Sequence, residues 1–99
     1  MGRRIRLSEA AVVMWQYQNP GGKKYTGAWQ DMPDSIAQAL ETEYMRQFND
    51  GGVWAPWDYT LAVSEELTVA LTFNFGSMTQ WSHTHRVKRR IRRILVTDA

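Results

Sequence analysis

The run LTVALTFNF, from Leu67 to Phe75, constrains the fold more than any other part of the chain. Leu67, Val69, Leu71, Phe73 and Phe75 alternate with Thr68, Ala70, Thr72 and Asn74. A period of two places the first set on one face of a strand and the second on the other. The apolar face needs a cover, so the strand belongs to an antiparallel sheet with one buried side. YTLAV (59–63), followed by Ser-Glu-Glu, supplies a hairpin partner. The preceding VWAPWDY (53–59) is aromatic but interrupted by Pro56, which suits an edge strand or an ordered loop.

The cover is a helix. In DMPDSIAQALETEYMRQFNDGG (31–52), Ile36, Leu40, Tyr44 and Phe48 recur every four residues, flanked by Ala37 and Met45. Asp34 or Ser35 is placed to cap it, and Ser35 with Gln38 has capping-box spacing. Gly51 and Gly52 end it. Glu41 and Glu43 fall mostly off the apolar stripe. Toward the N-terminus, AVVMWQY (11–17) reads as a strand, QNPGGKK (18–24) as a turn and YTGAW (25–29) as the return strand. Toward the C-terminus, GSMTQWSHTH (76–85) reads as a connection and RVKRRIRRILV (86–96) as a final basic strand. The order predicts an α+β fold: a curved antiparallel sheet, a half-barrel of about six strands, wrapped around one helix at about 34–49. Residues 1–10 are read as a tail and 11–97 as a single domain.

A chain of 99 residues holds one core. The absence of cysteine excludes disulfides and thiolate metal sites and fits a reducing, intracellular compartment. No apolar run approaches the roughly 20 residues that span a bilayer, so no membrane partner is expected. MGRRIRLSEAAVVMW is basic and then apolar, but its apolar part is too short for a signal peptide. Charge is distributed unevenly. Residues 1–85 carry six Lys/Arg against nine Asp/Glu, while residues 86–99 carry six against one. Such a strip favours an anionic partner over a neutral one.

Few residues carry chemistry. His83 and His85 would share a face on a strand, but no third metal ligand stands nearby in sequence, so they read as solvated loop histidines. There is no nucleophile elbow and no phosphate-binding glycine loop. Glu65 and Glu66 belong to a turn, and Glu41 and Glu43 to a helix flank. The expectation is a non-enzymatic chain without a cofactor. The basic run is interrupted by Val87, Ile91, Ile94, Leu95 and Val96, which need a sheet to pack on. On a strand Arg89, Ile91 and Arg93 point one way, and Arg90 and Arg92 the other. The charge is thereby split between a solvated face and a face where an arginine fork suits a phosphate.

Five segments, in this order, resemble the WWE domain: MWQY (14–17), Trp29 after a glycine-containing turn, ALETEY (39–44), FNFGSMTQ (73–80) and RRIRR (89–93). The resemblance covers roughly residues 13–95. The two Trp and one Glu of the family's name fall at Trp15, Trp29 and Glu41, each read first as structural because large aromatics mostly serve cores. WWE domains are half-barrels around one helix, found in ubiquitin ligases and ADP-ribosyltransferases. Well-known members bind the iso-ADP-ribose unit of poly(ADP-ribose), and others terminal ADP-ribose or adenine nucleotides. The resemblance implies that Tyr17 contacts ligand near the phosphates, that Gln80 reads the adenine edge, that Arg89 holds the pyrophosphate and that Trp29 lines or supports the pocket. It implies poly(ADP-ribose) or an ADP-ribosylated protein as partner, in the nucleus or cytoplasm. Two rivals stand beside it: a protein-interaction domain of the same shape without the ligand, and RNA or DNA binding along Arg86 to Arg93. Three departures bear on the choice. Leu71 stands where ligand-binding members have Tyr, and Asn74 where Asp is usual. The longer segment Asn49 to Glu66 brings Trp54 and Trp57, to replace the missing Tyr or to cover the pocket.

Overall fold

The alternating run becomes β5, Thr68–Asn74, an inner strand of a curved antiparallel sheet. The computed structural model describes residues 5–6, 11–18 and 27–97. Their elements in chain order are β1 (Ile5–Arg6), β2 (Ala11–Gln18), β3 (Trp29–Asp31), α1 (Asp34–Asn49), β4 (Trp57–Ala62), β5, β6 (Thr79–Ser82) and β7 (Val87–Thr97). The sheet runs β1-β2-β7-β6-β5-β4, with β3 paired to the C-terminal end of β2 on the same edge as β1. It is curved and unclosed around the single helix, which is the expected α+β half-barrel.

The inward residues of β5, with Phe75 just beyond its end, make the core. Phe73 is fully buried, and Val69, Leu71 and Phe75 nearly so. They meet Val13 and Trp15 of β2, Ile91 of β7 and Ile36, Ala37 and Leu40 of α1. Burying a side chain of this size contributes roughly 1.5–3 kcal/mol, so these contacts hold the helix in the sheet. Leu67 precedes β5 and is 45% exposed, so the buried face begins at Val69.

Two local expectations change, at the helix cap and the return strand. Pro33, not Asp34 or Ser35, is the N-cap, and it provides no side-chain cap; Asp34 and Ser35 already lie inside the first turn. The helix does end at the glycines, where Gly51 and Gly52 adopt φ of 97° and 71°. The return strand expected at 25–29 is Trp29–Asp31 among the described residues, paired with Gln16–Gln18; Gly27 and Ala28 lie outside it, and 25–26 are outside the described residues. The Gln18 amide donates to the Gly27 carbonyl at 2.9 Å and shapes the entry to it. The turn read at 18–24 lies from Asn19 onward outside the described residues.

The largest change is β6. GSMTQWSHTH was expected to be a connection, yet Thr79–Ser82 is a strand between β5 and β7. Its inward residues, Gln80 and Ser82, are polar and buried, so no hydrophobic alternation marks it. Its backbone completes the ladders of both neighbours, which otherwise would expose two edges.

The buried face of α1 also differs from its apolar stripe. Glu41, Glu43 and Gln47 are buried, whereas Phe48 is 55% exposed. Each buried polar group has a partner. Glu41 takes Trp15 and Arg93. Glu43 takes Arg46 and Gln47. The Gln47 amide clamps Ala55 through both its carbonyl and its N–H, at 3.1 and 2.9 Å. That clamp fixes the loop at 53–56 and lets Trp54 stack on Tyr44, with centroids 5.2 Å apart.

Candidate ligand-binding pocket

At one end of the half-barrel the sheet and the start of α1 enclose a cavity of about 200 Å³. Its apolar walls are Leu61 of β4, Val69 and Leu71 of β5, and Met32, Pro33 and Ile36 at the entrance to the helix. Its polar wall is Tyr17 of β2, Gln80 and Ser82 of β6, His85 of the β6–β7 turn and Arg89 of β7.

Sheet register explains why these residues converge. Gln80 pairs with Arg89 across β6 and β7, and Tyr17 pairs with Ile91 two residues further along β7. Paired residues share a face, so Gln80, Arg89, Ile91 and Tyr17 all look inward. The Arg89 guanidinium lies 5.7 Å from the centre of the Tyr17 ring. The Tyr17 hydroxyl donates to Gln30 Oε1 at 2.8 Å, which holds the ring in place from the adjacent strand.

Two polar atoms here are buried without a partner among the described residues: Gln80 Oε1 and Arg89 Nε. A buried unsatisfied group costs about 1–3 kcal/mol. One is an acceptor and the other a charged donor, and both belong to residues that line one cavity. Among the described residues, no carboxylate lines the pocket. The first N–H groups of a helix also lack intrahelical acceptors, and α1 begins here without a side-chain cap. The site therefore favours a group that offers a hydrogen-bond donor to Gln80 and negative charge to Arg89.

Three of the four site residues expected from the sequence, Tyr17, Gln80 and Arg89, thus meet in one place. Trp29 does not join them. It pairs with Gln18, on the face of β2 opposite Tyr17, and its ring stacks beneath Arg92 at 4.1 Å. Arg92 also donates to Gln16 Oε1 at 2.8 Å, so it is held on the outer face and not freely solvated. Trp54 and Trp57 do not replace the missing tyrosine or roof the pocket. Trp54 packs on Tyr44 and Phe75, and Trp57 on Tyr59 and Phe73. Leu61 is the residue of the long segment that reaches the cavity. Asn74, in the place of the usual Asp, accepts the Ser77 N–H at 3.0 Å and shapes the β5–β6 turn.

The two histidines separate. Both sit in the turn 83–86. His83 is engaged on the outer face: Trp81 Nε1 donates to its Nδ1 at 3.2 Å, and its Nε2 meets Thr72 Oγ1 at 2.6 Å. His85 reaches the pocket instead. Ser82 and His85 were missed in the sequence because β6 carries no apolar pattern to reveal which of its neighbours face inward. Among the described residues, no three histidine or acidic side chains cluster to hold a metal ion, and no helix is long and apolar enough to cross a membrane.

A search of curated proteins found no match to this chain. The family model of the WWE domain matches residues 13–93, most of its length. That family consists of binding modules, for proteins or ADP-ribose, and not of catalytic domains. With the half-barrel formed and the family's first Trp and its Glu bonded in the core, the chain belongs to the WWE domain family.

Proposed function

We propose that this domain binds ADP-ribose-type ligands, either the iso-ADP-ribose unit of poly(ADP-ribose) or a terminal ADP-ribose or adenine nucleotide. The observation that carries the reading is the pair of unsatisfied atoms, Gln80 Oε1 and Arg89 Nε, buried in residues of one cavity that no carboxylate lines among the described residues. Adenine enters between Leu71, Val69 and Ile36, and its exocyclic amine donates to Gln80 Oε1. A cavity of about 200 Å³ takes the base and leaves the phosphates at the mouth, where Arg89 and Tyr17 meet them. Arg89 offers a planar charged fork suited to a phosphate oxygen pair. Leu71 presents no hydroxyl in the place of the family's tyrosine, so polar recognition concentrates on Gln80 and Arg89. In cells such a module works in the nucleus or cytoplasm, where ADP-ribosylated proteins are its partners.

The test is calorimetric titration with ADP-ribose, iso-ADP-ribose, ATP and a short RNA. Arg89→Ala and Gln80→Ala should each abolish most of the heat with adenine ligands, while Arg92→Ala on the outer face leaves it intact. Affinity should fall only gently with salt, since about two phosphate charges are involved. Absence of heat with every adenine ligand would sink the reading. A second reading has its own observation: Lys88 and Arg90 are exposed on the outer strand face, beside the Arg92–Trp29 stack. RNA binding there would weaken steeply with salt and be lost with Arg92→Ala but not with Gln80→Ala.

A further inference from the structure

His85 is exposed and stands at the pocket's edge, and its backbone is pinned there. Its N–H donates to the hydroxyl of Ser82 at 3.1 Å, and the next N–H, of Arg86, donates to the Ser82 carbonyl at 2.7 Å. Ser82 is 2% exposed, so the anchor is rigid. Arg86 adopts φ of 56°, a left-handed conformation that costs a non-glycine residue free energy and that these bonds hold in place. The turn is therefore a constructed one. His83 spends both ring nitrogens on protein partners. The His85 imidazole has no hydrogen-bond partner among the described residues.

The charged side chain beside it in the pocket is a cation. Among the described residues, Arg89 on β7 and Tyr17 on β2 are the other ionisable residues that line the pocket. Arg86 is exposed beside it in the turn, and Asp34 in the first turn of α1 is exposed and outside the lining. Glu65 and Glu66, beyond the strands that bear Leu61 and Val69, are exposed and also outside it. Among the described residues no carboxylate of the lining waits to pair with a charged imidazole, so its partner is to come from the ligand.

We infer that His85 is a further anion-contacting side chain of this pocket, acting with Arg89 on the ligand's phosphates, so that the domain holds its ligand more tightly as the medium acidifies. The inference rests on the ADP-ribose reading and deepens it. Neutral imidazole offers one N–H donor; protonated imidazole offers two and a positive charge. Histidine is the side chain whose charge changes between about pH 5 and 8. A bound phosphate attracts the charged imidazole more strongly than the neutral one, so the contribution is present at the acidic end of that range and absent at the alkaline end.

The experiment is titration of the whole chain with ADP-ribose and with iso-ADP-ribose at about pH 5.5 and about pH 8, the two ends of histidine's range. Wild type is compared with His85→Gln, His85→Lys and His83→Gln, and thermal denaturation confirms that each variant is folded. The ratio of wild-type to His85→Gln affinity cancels any titration of the ligand's own phosphates. It should be larger by about two- to five-fold at the acidic end, the magnitude of one partly solvated ion pair. His85→Lys should bind well with the residual pH dependence of His85→Gln, and His83→Gln should keep the wild-type profile. A ratio that is the same at both pH values overturns the inference while leaving the ADP-ribose reading standing. Failure of wild type to bind either ligand at any pH overturns that reading, and this one with it.

Discussion

The indole N–H of Trp15 donates to Oε1 of Glu41 at 3.0 Å, and the same carboxylate receives Arg93 through two bonds at 2.9 and 2.8 Å. Three elements, β2, α1 and β7, are tied at this one buried group. Arg93 also lies 4.7 Å over the ring of Tyr44, so the charge is enclosed on a second side. Glu41, which in sequence falls mostly off the apolar stripe and reads as structural, is the polar link between helix and sheet. Trp29, the other tryptophan of the family's name, has no part in it.

Removal of that carboxylate leaves Arg93 without its partner. Breaking a buried pair of this kind costs about 3–5 kcal/mol. Glu41→Ala should lower stability to urea by an amount in that range, with Trp15 also losing its acceptor. Glu41→Met combined with Arg93→Met should recover most of the loss, because neither charge is then stranded. A double variant no more stable than Glu41→Ala would contradict this account.

Acid should weaken the fold through the same group. Burial by itself pushes the Glu41 carboxyl up, but the bonds from Arg93 and Trp15 and the Arg93 charge together hold it below the usual value of 4.5. The bond from Arg46 likewise lowers Glu43, against an opposing contribution from burial. A depressed carboxylate stabilises the folded state above its unfolded value and loses that contribution as pH falls through the folded one. Urea midpoints should therefore drop below about pH 4.5, the region where unfolded glutamates take up protons. Glu41→Gln should flatten that dependence, and an unchanged slope would assign it elsewhere.

Gln80 should show function and stability in opposition. Its unsatisfied Oε1 costs the free protein free energy, while the rest of the side chain fills space in a buried strand. Gln80→Met keeps the length and removes the orphaned acceptor. It should raise the melting temperature of the free domain, by about 1 kcal/mol at most in stability, and abolish adenine-ligand binding. A Gln80→Met variant that is both less stable and still binds would remove Gln80 from the site.

Gly51 offers a test of backbone chemistry alone. It holds φ of 97°, and a Cβ there would touch nothing within 4 Å. Gly51→Ala should still destabilise by about 1–2 kcal/mol, since the penalty is the left-handed backbone and not space. Chemical denaturation reads this directly, and a neutral result would mean the turn relaxes.

What could be read in the residues, and what could not, divides along a physical line. Alternation in β5 and the fourfold recurrence in α1 are consequences of local geometry, and they placed both elements and the helix bounds; the apolar residues that interrupt the basic run placed the last strand. Family motifs pointed to Tyr17, Gln80 and Arg89, which the fold does bring to one cavity. By contrast β6 was invisible because its inward residues are Gln80 and Ser82, buried only because ladders on both sides enclose them. The burial of Glu41 was invisible because Arg93, which makes it tolerable, lies 52 residues further along the chain. The outward side of Trp29 follows from its pairing with Gln18, and the approach of His85 to the pocket from a turn anchored on Ser82. Sequence alone determined the elements whose burial pattern is apolar and local. Tertiary structure decided where the polar groups go, because a buried polar side chain is stable only beside its partner, and the partner is chosen by strand register and helix docking rather than by spacing along the chain.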